Sequence, residues 1–264
     1  MAFIYPMCSS SKGNCTYVGN QDEGVLIDAG LGIRGFLKHL SLIGVEKQAI
    51  RGIFVTHEHS DHVKGLARIQ KELDVPVYAS HRTLSKLAEK GFLWEEGFIQ
   101  PIDSQPQQVG GFAVEAFSTP HDSVESQAYQ IHIAGGKTVT VCTDLGYVTS
   151  EIHERLASSD LLLLESNYDP AMLEMGPYPE FLKRRIAGSR GHLSNTDCGY
   201  EITRLYEEGV RHFVLGHLSE ENNRPELAYA NVVSYLQQAG AQVQKDFTLW
   251  VAPKNNEGQV VPVL

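Results

Sequence analysis

The sequence predicts an α+β (α/β) protein built as a four-layer αββα sandwich, with two packed sheets and helices outside. Three observations predict it. Short strand-like segments dominate the first part of the 264-residue chain, a hairpin lies near its middle, and helices alternate with strands in its second half. We find no linker, repeat or low-complexity tract, so a single domain spanning residues 1–264 is expected.

The first half is predicted to contain mainly strands. Ser, Gly and Asn turns separate three of them at the start of the chain. A helix is expected at Gly32–Ile43 and a second in the amphipathic stretch His62–Leu73. The Ala134–Lys137 turn should join the last two strands as a hairpin. The expected strands are Phe3–Cys8, Cys15–Gly19, Gly24–Asp28, Ile53–Thr56, Val77–Ala79, Phe112–Ser118, Ala128–Ile133 and Val139–Thr143.

The second half alternates between the two element types. Its strands are expected at Leu161–Glu165, His212–Leu215 and Phe247–Val251. Its helices are expected at Ser150–Ala157, Pro179–Ile186, Thr196–Glu208 and Pro225–Gln238.

Composition narrows the class of protein. The longest apolar run, Leu161–Leu164, is far too short to span a membrane, and Met1–Asn14 lacks the features of a signal peptide. The four cysteines form no C-x-x-C pair, so reduced thiols and a cytoplasmic location are expected. The net charge of −10 argues against a broad basic surface for nucleic acid but leaves room for a local one.

One short segment contains most of the chemistry. His57, His59, Asp61 and His62 lie within six positions that follow an apolar strand and begin a helix. Imidazole and carboxylate groups at this density suit zinc, manganese or iron. The segment offers more ligands than one tetrahedral ion would take, so two divalent ions are expected, with further ligands from elsewhere in the chain.

Three more metal-binding side chains follow apolar strands. His121, Asp144 and His217 each come after such a strand and before a turn. A lone histidine is more often structural, but the repeated local form favours metal binding here. Asp28 also follows a strand, and it is read equally well as a polar turn residue or as a group that fixes the histidine loop by hydrogen bonds.

The segment Thr56–His62 matches the H-x-H-x-D-H signature of the metallo-β-lactamase superfamily. Leu26–Gly30 resembles the first motif of that family, and the three distant ligands resemble its third, fourth and fifth motifs. The resemblance implies the metallo-β-lactamase fold and a dinuclear site. It assigns His57, His59 and His121 to one ion, Asp61, His62 and His217 to the other, and Asp144 as the bridge. A hydroxide held between the ions would attack the substrate, with Asp61 counted among the catalytic groups.

Two segments favour phosphodiester substrates. Gly191–Asn195 resembles the G-H-x-S segment of tRNase Z and related phosphodiesterases, in which a histidine protonates the leaving oxygen. Glu165 ends a strand and resembles the acidic residue that pairs with that histidine. His192 and Glu165 are therefore expected to act together, although either could be an ordinary polar loop residue. Ser194 and Asn195 are expected to contact the substrate.

A basic run precedes His192. Arg184, Arg185 and Arg190 fall within a few positions of an otherwise acidic chain, and arginine can hold phosphate through two hydrogen bonds. A solvent-exposed helix face explains the run equally well.

Three segments, Cys8–Asn14, Gly191–Asn195 and His217–Ala228, resemble the bacterial YycJ/WalJ group. The resemblance implies a single-domain hydrolase that degrades DNA, single- or double-stranded, as a 5′-to-3′ exonuclease, with attack of the hydroxide on phosphorus. The alternative is a small-molecule hydrolase: a cyclic phosphodiesterase similar to PhnP, or with less support a thioesterase or lactonase. A non-catalytic module is disfavoured because every ligand position is filled. The sequence does not indicate the oligomeric state.

Overall fold

The computed structural model describes residues 1–103 and 105–264, in which fourteen strands form two seven-stranded sheets. The first sheet contains the N-terminal strands in the order β14-β1-β2-β3-β4-β5-β6. These strands are β1 (Phe3–Ser10), β2 (Gly13–Gly19), β3 (Gly24–Ile27), β4 (Ile50–Phe54), β5 (Val77–Ala79), β6 (Ile99–Pro101) and β14 (Val261–Pro262).

The second sheet contains the remaining strands in the order β13-β12-β11-β10-β9-β8-β7. These strands are β7 (Gln107–Val109), β8 (Phe112–Ser118), β9 (Gln127–Ile133), β10 (Lys137–Cys142), β11 (Leu161–Glu165), β12 (His212–Gly216) and β13 (Thr248–Val251). The predicted hairpin joins β9 and β10, which pair antiparallel, whereas β10, β11, β12 and β13 run parallel.

Nine helices are described in these residues: α1 (Ile33–Leu42), α2 (Ser60–Val63), α3 (Leu66–Leu73), α4 (His81–Glu89), α5 (Ser150–Ala157), α6 (Pro170–Met175), α7 (Glu180–Ile186), α8 (Asn195–Glu207) and α9 (Pro225–Gln238). None of them is both long enough and apolar enough to cross a bilayer. All four cysteines are unpaired, as expected, and three of them are buried.

Three apolar cores explain the layers. Val139 and Val141 of β10 face the core between the two sheets, whereas Cys142 joins the core beneath the outer helices. The run Leu161–Leu164 of β11 alternates between the same two cores in the same way. A strand that is buried on both faces needs apolar residues at every position, and this explains the uninterrupted leucines. The αββα sandwich is therefore confirmed.

The predicted helix His62–Leu73 is wrong in one respect, because it is divided into α2 and α3. Gly65 lies between the two helices and packs against the loop after β3. A Cβ atom there would lie 1.8 Å from the carbonyl oxygen of Leu31. The loop and the helix can approach this closely only without a side chain. The helical path is interrupted because the backbone nitrogen of Gly65 donates to the carbonyl oxygen of Ala29 (3.0 Å) in that loop and not to a carbonyl oxygen of the preceding turn. The short elements β6, β7, β14 and α6 were not predicted, nor was the nine-residue helix α4.

Strand direction brings the predicted site together. β3 and β4 are parallel neighbours in the first sheet, and β10, β11 and β12 are parallel neighbours in the second. β8 has the same direction as β10, because both are antiparallel to β9. The segments that follow these strands therefore lie at one edge of each sheet, and the convergence of their side chains shows that the two edges adjoin.

Candidate metal centre and active site

Nine His, Asp and Glu side chains converge at this edge. Four groups each offer ligand atoms that lie within 4.8 Å of one another. The groups are His57, His59 and His121; Asp61, His62 and His217; His57, His62 and Asp144; and Asp144, Glu165, His192 and His217. The first two groups match the two ligand sets implied by the family resemblance. Asp144 belongs to the other two groups, and in one of them its partners are His57 of the first set and His62 of the second.

Asp28 lies beneath the histidine loop and binds it at two points. Its Oδ1 accepts a hydrogen bond from the backbone nitrogen of Thr56 (2.8 Å), and its Oδ2 accepts one from His62 Nδ1 (2.7 Å). The side chain is buried. Because Nδ1 of His62 donates to Asp28, its Nε2 is left to face Asp61 and Asp144, at 3.2 and 3.3 Å. Of the two readings of Asp28, the geometry favours the one in which it orients a ligand.

Ring nitrogens of His121 and His59 face each other. Nδ1 of His121 donates to the carbonyl oxygen of Gly191 (3.0 Å), which directs its Nε2 towards the cluster. That Nε2 lies 3.3 Å from Nδ1 of His59. Two imidazole nitrogens facing each other at this distance, with Asp144 Oδ1 at 3.7 Å from the same Nε2, are the arrangement that a shared cation stabilises.

Glu165 contacts two histidines, one more than the sequence predicts. Its Oε1 accepts from Nδ1 of His192 at 2.9 Å and from Nδ1 of His217 at 2.7 Å. Its Oε2 accepts from the backbone nitrogens of Leu145 (3.1 Å) and Leu193 (3.0 Å). With four donors on a fully buried carboxylate, Glu165 fixes both a predicted metal ligand and the predicted proton donor.

Unpartnered buried atoms test whether a metal fits. Within residues 1–103 and 105–264, Nε2 of His57, Nε2 of His217 and Oδ2 of Asp144 are buried and have no hydrogen-bond partner. A buried polar atom without a partner costs about 1–3 kcal/mol. All three belong to the predicted ligand set, and all are imidazole or carboxylate groups. Divalent metal ions therefore fit this donor set.

The pKa shifts of His57 and Asp61 agree with metal donation. Burial, together with neighbouring histidines, holds the pKa of His57 well below its ordinary value, so this ring is neutral at pH 7. Burial raises the pKa of Asp61, but His62 and His217 outweigh it and bring that pKa below its usual range. For His62 and His217 burial lowers the pKa, but the carboxylates around them outweigh it and raise the pKa above its ordinary value, so metal binding at these two rings displaces a proton. For His192 burial opposes the shift, yet the Glu165 carboxylate beside it raises the pKa of the ring above its ordinary value.

Three residues of the site have left-handed backbone conformations. Asp28, Asp144 and His217 have φ angles of 62°, 60° and 55°. Each comes one or two residues after a strand, β3, β10 or β12. This conformation turns the chain sharply where the strand ends and is unusual for residues other than glycine. It is the structural basis of the repeated pattern of strand, polar side chain and turn.

The predicted substrate contacts are only partly supported. Arg184 is exposed at the end of α7, and Arg185 forms an ion pair with Asp122, with 3.1 Å between Nη2 and Oδ1. The guanidinium of Arg190 donates to the carbonyl oxygen of His121 through Nε (3.1 Å) and Nη2 (2.9 Å). Arg190 therefore supports the loop that carries a predicted ligand.

Ser194 and Asn195 do not reach the surface, so their prediction as substrate contacts is corrected. Ser194 is the N-cap of α8, and its hydroxyl accepts from the backbone nitrogen of Asp197 (3.0 Å). Asn195 is fully buried and pairs with Ser166 and Asn223. Both side chains are occupied inside the protein and cannot contact a substrate.

Two residues of the site were not predicted from the sequence. Asn14 Nδ2 lies 3.3 Å from Asp61 Oδ2 and 3.1 Å from His62 Nε2. Asn167 Nδ2 donates to the carbonyl oxygen of His217 (2.8 Å). The segment Cys8–Asn14 already carried a resemblance to the YycJ/WalJ group, which was the available signal for Asn14. Asn167 directly follows Glu165 and Ser166, and its amide has no distinguishing pattern.

The fold and the donor set define a metal-dependent hydrolase. The Beta-lactamase superfamily domain matches residues 24–217, and the chain belongs to this superfamily. It is 32% identical over 251 residues to the exodeoxyribonuclease YycJ of Bacillus anthracis, covering 92% of each chain. It is 31% identical to the exodeoxyribonuclease WalJ of Streptococcus pneumoniae, covering 92% of this chain and 91% of the relative. The predicted resemblance to the YycJ/WalJ group is confirmed.

A solved structure confirms the fold independently. The metallo-β-lactamase fold protein YhfI from Bacillus subtilis superposes with a TM-score of 0.70 at 16% identity, covering 97% of this chain and 98% of that one.

Proposed function

We propose that the chain is a DNA exonuclease that hydrolyses phosphodiester bonds with two divalent cations and proceeds from 5′ to 3′. The superfamily fold alone does not define the substrate. The observation that carries the proposal is the pair formed by Glu165 and His192 beside the donor cluster. The names of the two exodeoxyribonuclease relatives support DNA as the substrate. A cytoplasmic location stays a prediction, which cell fractionation tests.

The cations would be held by seven side chains, in the two sets that share Asp144. These are His57, His59 and His121 on one side and Asp61, His62 and His217 on the other. When bound, two such cations neutralise charge on phosphate oxygens and supply a nucleophile from water near neutral pH. The all-nitrogen and oxygen donor set accepts zinc, manganese or iron.

His192 would donate a proton to the leaving oxygen. Its Nδ1 is occupied by Glu165, which leaves Nε2 as the only ring nitrogen available to a substrate. The side chain retains 17% exposure, whereas Glu165 has none, so His192 is the member of the pair that a substrate can reach. The backbone nitrogen of His192 donates to the carbonyl oxygen of Ile186 (2.9 Å), which holds the loop in place.

Basic side chains would hold the nucleic acid next to this group. Arg185 is anchored by Asp122, the neighbour of His121, so its guanidinium lies at the rim of the site. Arg184 is exposed beside it and has no ion-pair partner among the described residues. An exposed guanidinium can hold a phosphate through two hydrogen bonds.

A cleavage panel with elemental analysis tests the proposal. The panel contains 5′-phosphorylated DNA, RNA, a cyclic nucleotide, bis-p-nitrophenyl phosphate and a thioester. We expect two equivalents of metal per chain and stepwise release of mononucleotides from the 5′ end of DNA. Cleavage of the cyclic nucleotide or the thioester with DNA left intact would support the small-molecule alternative and refute ours.

A further inference from the structure

A cavity of 580 Å³ lies beside the metal centre, on the side of His121. It is formed by the loop between β8 and β9, the loop after β10 and the segment before His192. Pockets that receive small organic groups usually measure about 300–1,000 Å³. Its walls include Thr119, His121, Ser123, Glu125, Tyr147 and Arg190.

Tyr147 presents an aromatic ring to this cavity. The residue is 49% exposed and has no aromatic partner within the described residues. Its position is fixed by the preceding glycine. The backbone nitrogen of Gly146 donates to the carbonyl oxygen of Pro120 (3.0 Å), and a Cβ atom at Gly146 would lie 2.4 Å from the backbone of Ser189. Since Tyr147 follows Asp144 by three positions, this packing holds the backbone that carries the ring close to the metal centre.

Polar groups occupy the remaining walls. Arg190 lines the cavity and donates to the carbonyl oxygen of His121, which also lines the cavity and belongs to the donor cluster. Ser123 has a buried Oγ without a hydrogen-bond partner among the described residues. Glu125 adds a carboxylate, which repels phosphate. Its Oε2 accepts from the backbone nitrogen of Arg82 (3.3 Å), and its Oε1 is left to accept a hydrogen bond from an N–H group of a nucleobase.

On the basis of the proposed nuclease function, we propose that this cavity receives the nucleobase of the nucleotide next to the scissile phosphate. The base stacks on Tyr147, and its polar edge faces Ser123 and Glu125. Arg190 lies at the boundary where the phosphate enters the metal centre. Aromatic side chains bind bases of any sequence in this way, because every base has a π-face.

The proposal limits the form of the substrate. A base in this cavity has left its stack and its pairing partner. The protein therefore engages an unpaired strand end, and a frayed or single-stranded terminus is degraded faster than a blunt duplex end.

The test compares Tyr147→Leu with Tyr147→Phe and with the control Tyr200→Leu. Tyr200 is 60% exposed on α8 and does not line the cavity. Substrates are a single-stranded oligodeoxynucleotide, the same strand made abasic at the two terminal nucleotides of the degraded end, and bis-p-nitrophenyl phosphate. We expect Tyr147→Leu to raise KM for the intact strand about tenfold, since the loss of base stacking on an aromatic ring weakens binding by roughly 5- to 150-fold. Tyr147→Phe and Tyr200→Leu should match the wild type.

The abasic strand and the small diester separate the possible failures. With no base to stack, Tyr147→Leu and the wild type should degrade the abasic strand equally, and both should hydrolyse the small diester equally. An equal loss on all three substrates would show that Tyr147 only supports the fold of the site and would overturn the inference. An unchanged KM on the intact strand would overturn it as well. If the wild type hydrolyses the small diester but cleaves no DNA strand, both the nuclease proposal and this inference are refuted.

Discussion

Replacement of His192 by Gln is expected to abolish proton donation while leaving the metal site intact. In the wild type, Glu165 Oε1 binds both His192 and His217. Without the imidazole of His192, Glu165 still accepts from His217, Leu145 and Leu193, so the predicted ligand keeps its orientation. General acid catalysis contributes about 10²–10⁴ in rate. We therefore expect kcat on an oligonucleotide to fall by that factor, which is about 3–5 kcal/mol of barrier.

A comparison of two leaving groups makes the assay specific for proton donation. A sugar alkoxide needs a proton as it departs, whereas p-nitrophenolate leaves as a stable anion. His192→Gln should therefore lose less than about tenfold on bis-p-nitrophenyl phosphate, well below its loss on the oligonucleotide. Elemental analysis should find the same metal content as in the wild type.

Two control variants distinguish loss of the proton donor from loss of metal. Asp61→Asn should lose metal and both activities together, because it removes a predicted ligand. Glu165→Gln should also impair metal binding, since this carboxylate orients His217. An equal loss of both activities in His192→Gln, with metal retained, would refute the assignment of His192 as the proton donor. Loss of metal in that variant would refute the separation of the two roles.

Three further predictions concern binding and stability. The double variant Arg184→Ala/Arg185→Ala should bind oligonucleotides more weakly, and the slope of the logarithm of its binding constant against the logarithm of salt concentration should fall by about one unit per lost phosphate contact. An unchanged slope in a binding titration would favour the alternative that these residues form a solvent-exposed helix face. Gly30→Ala should lower the free energy of unfolding by about 3 kcal/mol in urea titrations, because its Cβ would lie 1.7 Å from a backbone carbonyl oxygen, and a loss below about 1 kcal/mol would contradict the close packing. Burial lowers the pKa of His153, but the hydrogen bonds that its ring donates to Glu201 and Glu208 outweigh burial and raise the pKa. These contacts therefore stabilise the fold below the ordinary pKa of histidine, and the contribution is lost as pH rises through the raised pKa. His153→Gln should therefore destabilise the protein more at pH 6 than at pH 9, and equal losses would refute the linkage.

The ligands at strand ends could be predicted because a strand and its direction can be identified from the sequence. Apolar runs identify the strands, and parallel strands place their final residues at one edge. The same logic could have placed Glu165 beside His217. β11 and β12 are parallel neighbours in which Glu165 pairs in register with Gly216, directly before that histidine. What the sequence did not reveal was which strands are neighbours.

The errors have physical causes. Ser194 was read as a substrate contact, yet Ser194 and Asp197 have the spacing of a helix N-cap, and the structure shows that role. A serine that contacts substrate and a serine that caps a helix leave the same hydrophobic pattern in the sequence. The position of its backbone relative to the helix shows which role it has. β6 and β7 span three residues each, too few to show a period. α6 is marked instead by its Asp169 cap and by Pro170.

The left-handed residues Asp28, Asp144 and His217 set a limit on engineering this protein. Each holds a conformation that costs an ordinary residue about 1–2 kcal/mol and a glycine almost nothing. Glycine would relieve this strain, but at Asp28 and His217 it would also leave buried hydrogen-bond partners unpaired, at a cost of about 1–3 kcal/mol each. At Asp144, whose buried Oδ2 has no hydrogen-bond partner among the described residues, stability and metal binding are opposed, so any stabilised variant should be selected with metal content as a second criterion.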